Sequence, residues 1–295
     1  MIILKQKNKL IFKILISVLI FIVLAVVVII ATTSQKSYDL NLKKDKNNDN
    51  KKQDIFESKT VEAKPSQVKA NVPIFMYHFI LDDYGTNWDF ENFVKPSTLE
   101  EQIKYIVDNG YETIFAREVN NLQKYNKPVC LTFDDCFVYF YNNAYPLFKK
   151  YNVKATIFII TDYIGGENYL TEAQIKEMSD SGLIDVQSHT KNHLDLTSLS
   201  NEKLEEQLKA SKERLEKITG KQVDTICYPY GRFNNNVISK AKELYEIGLA
   251  MDGGTLKYNS NTTNILELDR IYATRTMSLN EYKTYLNKSY VDVKW

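Results

Sequence analysis

The heptapeptide LTFDDCF, residues 131–137, runs an apolar segment into two adjacent carboxylates, Asp134 and Asp135. Val129, Cys130, Leu131 and Phe133, preceded by Asn126-Lys127-Pro128, predict a buried strand. Two carboxylates at its end repel one another unless a cation or a proton relieves them. The pair also suits a helix start, because Asp is a favoured N-cap and FVYFYNNAYPLFKKY can be helical. Further on, HTKNH places His189 and His193 four residues apart, so both imidazoles can turn toward one point. They would do so as i,i+4 ligands, or as a ligand at a strand end and another one turn later. Two histidines and one carboxylate hold a divalent ion and leave positions open for water and substrate. One aspartate of the pair can complete that set while the other acts as general base on a water molecule. H-x-x-x-H alone is a weak signal; the strand-terminal Asp-Asp strengthens it.

Such a site needs elements that converge on one face. The segments VPIFMYHFI, TIF, PVCLTF, VKATIFII, LIDVQS, DTIC and IGLAM read as strands. Helical patterns lie between them. STLEEQIKYIVDNGYETI carries Leu99, Ile103, Ile106 and Val107 at helical spacing, a Ser or Thr N-cap and Gly110 as a stop. YNNAYPLFKKYN reads as a helix with Pro146 in its first turn or at a break; LTEAQIKEMSDSG is capped; residues 201–220 are amphipathic and stopped by Gly220; VISKAKELY follows. Alternating strands and helices predict an α/β fold with a parallel sheet closed into a barrel, whose catalytic residues sit at strand C-terminal ends. All three histidines, His78, His189 and His193, fall at predicted strand exits.

TFDD at 132–135, HTKNH at 189–193 and YPYG at 228–231, in that order, resemble the three main motifs of the polysaccharide deacetylases. This is the family with the NodB homology domain, carbohydrate esterase family 4. The resemblance spans about residues 72–285. MYH at 76–78 and the segment after it resemble the exported branch that deacetylates poly-β-1,6-N-acetylglucosamine. The resemblance implies a distorted (β/α) barrel, a divalent ion of the Zn²⁺ type (Co²⁺ as an alternative) and hydrolysis of N-acetyl groups. It carries the base onto Asp134 and the metal ligands onto Asp135, His189 and His193. The family's acid is a histidine in a late Leu-x-His motif, which this chain lacks; in the MYH branch the N-terminal histidine takes its place, here His78. The backbone N–H of Tyr230 matches the oxyanion donor. Two departures stand out. Cys136 replaces a glycine common after the Asp pair, which strains the backbone if φ is positive there. Cys227 replaces an arginine that orients the base, and Arg270 or Arg275 of LDRIYATRTMS is expected to supply that charge.

The rest of the chain bounds the setting. Ile14 to Ala31 is apolar except for Ser17, follows Lys5, Lys7, Lys9 and Lys13, and is long enough to cross most of a bilayer. It is long for a cleaved signal and ATTSQ is a weak cleavage site, so an uncleaved signal-anchor is expected, with the bulk of the chain outside the cytoplasm. Residues 1–33 thus form a basic stub and anchor, 34–71 a polar, flexible tether, and 72–295 the catalytic domain. A formal net charge of +1 gives no case for nucleic acid as partner. Three cysteines, with no CxxC, exclude a disulfide scaffold. Cys130 reads as core packing. The expected activity is a membrane-anchored, monomeric N-deacetylase acting on poly-β-1,6-N-acetylglucosamine or peptidoglycan. An O-acetyl xylan-type esterase and a catalytically inactive carbohydrate-binding relative are the alternatives, and metal content separates the last.

Overall fold

The computed structural model describes residues 72–82, 92–135, 137–251 and 264–288. The predicted stub, anchor and tether (1–71) and Cys136 lie outside the described residues. Among those described, no helix is long and apolar enough to cross a membrane.

In chain order the elements are β1 (Ile74–Tyr77), β2 (Phe79–Ile80), β3 (Phe93–Val94), α1 (Pro96–Asp108), β4 (Glu112–Ile114), β5 (Pro128–Phe133), α2 (Tyr145–Tyr151) and β6 (Ala155–Ile159). Then come α3 (Glu172–Asp180), β7 (Ile184–Ser188), α4 (Asn201–Thr219), β8 (Thr225–Cys227), α5 (Asn235–Ala241), β9 (Ile247–Leu249), β10 (Ile271–Tyr272) and α6 (Leu279–Lys288). One parallel sheet runs β10-β1-β5-β6-β7-β8-β9, with β4 beside the first half of β5. Between β9 and β10 there is no strand ladder. Leu249 bridges to Leu268, the Ala250 N–H donates to the Leu268 carbonyl at 2.7 Å, and Ile271 and Tyr272 then pair with β1. The segment 268–272 therefore joins the two edges of the sheet without a strand ladder to β9 among the described residues, which is the distortion of this barrel.

Strand alternation sorts the core into two layers. Phe75, Tyr77, Val129, Leu131, Phe133, Ala155 and Ile157 join the large cluster shared with the helices. Ile74, Cys130, Phe158, Cys227, Ile247 and Leu249 form the second cluster, inside the barrel. Cys130 is the core residue its neighbours predicted.

The helices start and stop where their caps allow. Thr171 and Gln174 make a reciprocal capping box on α3, and Ser200 accepts from the Lys203 N–H at the start of α4, which Gly220 ends at φ 71°. The N-terminus of α1 differs from expectation. Lys95 is its N-cap, without a side-chain bond, and Pro96 occupies the first turn, where a missing N–H costs nothing. Val107, expected on the buried face, is 42% exposed; Leu99, Gln102, Ile103 and Ile106 are the buried residues of the helix. Pro146 does sit in the first turn of α2, after a π-helical turn at Phe140–Ala144.

At the start of β7, Asp185 bonds to Arg117 at 3.0 Å, and Arg117 also faces Asp224 at 3.4 Å. Burial nevertheless wins over Arg117 and raises the Asp185 carboxyl to about 6. A raised carboxyl binds its proton more tightly in the folded state, so stability falls as pH rises from about 4 through about 6. Denaturant unfolding across that window should show the decline in the wild type, and Asp185→Asn should flatten it.

Candidate active site

Period-two alternation extends the interior row of β5 from Cys130 through Thr132 to Asp134. The Asp134 N–H continues the β1 ladder to the Tyr77 carbonyl at 2.9 Å. Its carboxylate is thereby aimed into the barrel, 3% exposed, and needs a partner there. Arg270 supplies it from the closing segment: Nη1 donates to Oδ1 at 2.8 Å and Nη2 to Oδ2 at 2.7 Å. Nε donates to the Ala250 carbonyl at 3.0 Å, Nη1 also reaches Thr132 Oγ1 at 3.2 Å, and Nη2 reaches Cys227 Sγ at 3.1 Å. Burial alone would raise the Asp134 carboxyl, but Arg270 overrides it and holds the group well below the carboxylate range. Of the two arginines expected from sequence, Arg270 is thus the one on Asp134. Arg275 lies over the Phe93 ring, 5.6 Å from its centroid.

Asp135 follows in left-handed backbone, φ 63°, which turns its side chain away from that of Asp134. The backbone strain expected at Cys136 lies outside the described residues. The chain beyond is tied down by a bridge between Phe137 and Tyr169, by Val138 N–H donating to the Asn168 carbonyl at 2.7 Å, and by stacking of Phe137 on Phe79.

His189 leaves β7 with its N–H on the Ile159 carbonyl at 3.0 Å. Its Nδ1 lies 2.8 Å from the Cys227 carbonyl, which can only accept, so Nδ1 carries the hydrogen and Nε2 is the nitrogen left to face Asp135. Nε2 is 3.5 Å from Asp135 Oδ1, and His193 Nε2 is 3.8 Å from the same oxygen. The two histidines come together through a tight turn, with Thr190 at φ 67° and His193 at φ 60°, instead of along a helix. Thr190 Oγ1 accepts the His193 N–H at 3.2 Å and braces the turn. Burial, with His189 adding to it, lowers His193 to about 4, so its imidazole is neutral at physiological pH. Donor atoms of Asp135, His189 and His193 lie within 4.8 Å of one another. One carboxylate oxygen and two imidazole nitrogens, one of them fixed in its tautomer by a backbone carbonyl, fit a divalent cation of the zinc type. Asp134, His189 and Cys227 also cluster, but Arg270 holds both oxygens of Asp134, so that group does not fit one.

His78, at the exit of β1, has Nε2 4.0 Å from Asp134 Oδ2. Its Nδ1 is buried without a hydrogen-bond partner among the described residues. Burial pushes the imidazole down, against the pull of Asp134. Tyr230, also left-handed at φ 59°, stands edge-on to His193 at 4.6 Å and is 53% exposed. Gly231 allows its turn to pass the end of β9: a Cβ there would lie 2.6 Å from the Met251 nitrogen. These groups surround a cavity of about 400 Å³. All six residues expected from the motifs line it, with Arg270. Asn92, Met251 and Tyr272 line it as well; nothing in their spacing marked them.

A carboxylate-and-imidazole cluster beside an arginine-held carboxylate, at the strand ends of a parallel barrel, defines a hydrolase site that suits a divalent cation. Residues 121–245 match the family model described as polysaccharide deacetylase. The YxkH protein of Bacillus subtilis is 33% identical over 223 residues, 74% of this chain and 76% of that one. The poly-β-1,6-N-acetyl-D-glucosamine N-deacetylase of Staphylococcus aureus strain MRSA252 is 32% identical over 214 residues, 65% of this chain and 72% of that one. The Streptococcus pyogenes deacetylase PplD, solved in complex with acetate, superposes with a TM-score of 0.67 at 32% identity, covering 74% of this chain and 99% of that one. The chain belongs to the polysaccharide deacetylase family.

Removing one partner of a buried ion pair leaves the other uncompensated. Arg270→Ala should therefore destabilise the protein by about 3–5 kcal/mol at neutral pH. Because the Asp134 carboxyl is depressed in the folded protein, its contribution is complete above about pH 4 and is lost as pH falls. The penalty in urea unfolding should shrink below that pH, and Asp134→Asn should recover part of it in the same background.

Proposed function

We propose that the chain is a metal-dependent N-deacetylase that hydrolyses the acetamide of N-acetylglucosamine units in a surface polysaccharide, with poly-β-1,6-N-acetylglucosamine as the first candidate. The observation that carries this reading is the cavity in which Asp134, His78 and the Asp135–His189–His193 cluster face one another. The Staphylococcus aureus relative, whose name states that substrate, supports the choice of polymer.

Asp135, His189 and His193 would hold the cation, which when bound supplies Lewis-acid stabilisation of charge on the carbonyl oxygen. Asp134, ionised and oriented by Arg270, takes a proton from the attacking water. So weak a base does not retain that proton, and the His78 imidazole, 4.0 Å away, is placed to receive it. Protonated in this way, His78 acts as general acid and donates to the departing amine, so that acetate leaves. The Tyr230 backbone N–H is the proposed donor to the oxyanion. Asp134 and His78 thus have opposite proton duties around one carbonyl.

For the chain's setting, we propose that residues 14–31 anchor it in the membrane and that the catalytic domain works outside the cytoplasm as a monomer. The apolar run and the lysines before it support this.

Acetate release from β-1,6-linked N-acetylglucosamine oligomers should be abolished by a chelator and restored by Zn²⁺ or Co²⁺. Asp134→Asn and His78→Gln should each lower kcat by about 10²–10⁴-fold. Peptidoglycan fragments and acetylated xylan serve as competing substrates. Faster release from either would move the substrate assignment, and a protein that binds no metal would point to the carbohydrate-binding alternative.

A further inference from the structure

The buried face of α4 carries Leu204, Leu208 and Leu215, as an amphipathic helix should, but also Gln207 and Ser211. Both polar residues are almost wholly buried, at 3% and 0% exposure. Four residues apart, they form a short polar stripe on one side of the helix. A buried amide or hydroxyl is costly unless it is hydrogen-bonded, so its partners show what it serves. Ser211 Oγ meets Ser188 Oγ at 2.8 Å, and Gln207 Oε1 accepts the Asn192 N–H at 3.1 Å. The two contacts fall on either side of His189, one at the exit of β7 and one inside the turn that ends at His193.

That turn needs holding. Thr190 and His193 are left-handed, and such backbone persists in residues other than glycine only under constraint from its surroundings. On one side the constraint is backbone: the Thr161 N–H donates to the Thr190 carbonyl at 3.2 Å, and the Asp162 N–H to the Lys191 carbonyl at 2.8 Å. On the other side it is α4. Glu206 pairs with Lys191, but that ion pair is partly exposed and contributes little. Gln207 is buried, and its bond goes to the middle of the turn. Asn192 Oδ1 already lacks a hydrogen-bond partner among the described residues. Loss of the Gln207 acceptor would leave a second polar group of the same residue unpaired.

We propose that Gln207 is a positioning residue of the metal site: by fixing the turn at Asn192 it sets the separation of the His189 and His193 imidazoles, and so the affinity for the cation. The inference rests on the metal-dependent reading above and goes beyond it, since Gln207 is neither a candidate ligand nor a lining residue of the cavity. Residues that orient ligands from one layer further out typically change metal affinity by about 10–100-fold when lost.

The test titrates metal-free, full-length protein with Co²⁺ and follows the visible absorption that is absent from His193→Ala. Wild type is compared with Gln207→Met, which keeps the volume and removes the acceptor, and with Gln207→Asn, whose amide is one methylene short of Asn192. Leu204→Ala removes packing from the same helix without removing a hydrogen bond to the turn, and so controls for lost stability. The expected result is a Co²⁺ dissociation constant raised about tenfold or more in both Gln207 variants, with an altered absorption band, and unchanged in Leu204→Ala. Should Gln207→Met fail to fold, Gln207→Asn carries the comparison alone. Affinity within about twofold of wild type in the Gln207 variants, or an equal loss in Leu204→Ala, overturns the positioning role and leaves the metal-dependent reading standing. A wild type that binds no Co²⁺ at this site overturns that reading and the positioning role with it.

Discussion

The arrangement depends on keeping one carboxylate ionised inside a barrel. Asp134 is buried, so its charge must be compensated by a partner inside the barrel. Arg270 does this with a two-pronged guanidinium whose remaining hydrogens go to Ala250, Thr132 and Cys227. A lysine would offer charge without that fork, and the backbone carbonyl of Ala250 would lose its donor. The pair also has an architectural consequence. Arg270 lies in the segment that closes the ring between Leu268 and Ile271, so the segment that completes the barrel also supplies the counter-charge of Asp134.

The Asp135–His189–His193 cluster is assembled by different means, from turns. Asp135, Thr190, His193 and Tyr230 all have positive φ, a conformation that costs roughly 1 kcal/mol or more for residues other than glycine. Such geometry persists only when the surroundings over-determine it. Here the Phe137–Tyr169 bridge, the Thr190 hydroxyl and the passage of Gly231 beside Met251 each hold one of the turns. Cys227 joins the two halves of the site: its carbonyl orients His189, and its thiol lies against Asp134 and Arg270. The same position thus touches both the Asp135–His189–His193 cluster and the Asp134–Arg270 pair.

Around this centre the surface is aromatic and polar. Tyr230 stands exposed at the mouth, and Tyr163 and Tyr169 continue the stack that begins at Phe79 and Phe137 on another side.

Much of the fold and site was legible in the residues themselves. Strand and helix order from β4 to β9 followed from apolar periodicity, because strands such as β5, β6 and β7 are buried on both faces, whereas β3 and α6 carry no such signal. Motif order placed Asp134, Asp135, His189 and His193 at strand ends, where a parallel barrel gathers them. Local pattern was less informative at Pro96, where a capping Ser or Thr was expected, and at Val107, whose exposure depends on what packs beside α1. The choice between Arg270 and Arg275 was not local at all. Both are arginines in one short segment, and only the path from Leu268 to Tyr272 across the gap in the sheet turns the first inward and sets the second on Phe93. Asn92, Met251 and Tyr272 likewise became neighbours of the site through tertiary placement. Sequence by itself determined which groups could do chemistry, since residue type and strand periodicity are properties of the chain. Tertiary structure decided their partners, because a buried charge takes its counter-charge from whatever segment closes over it.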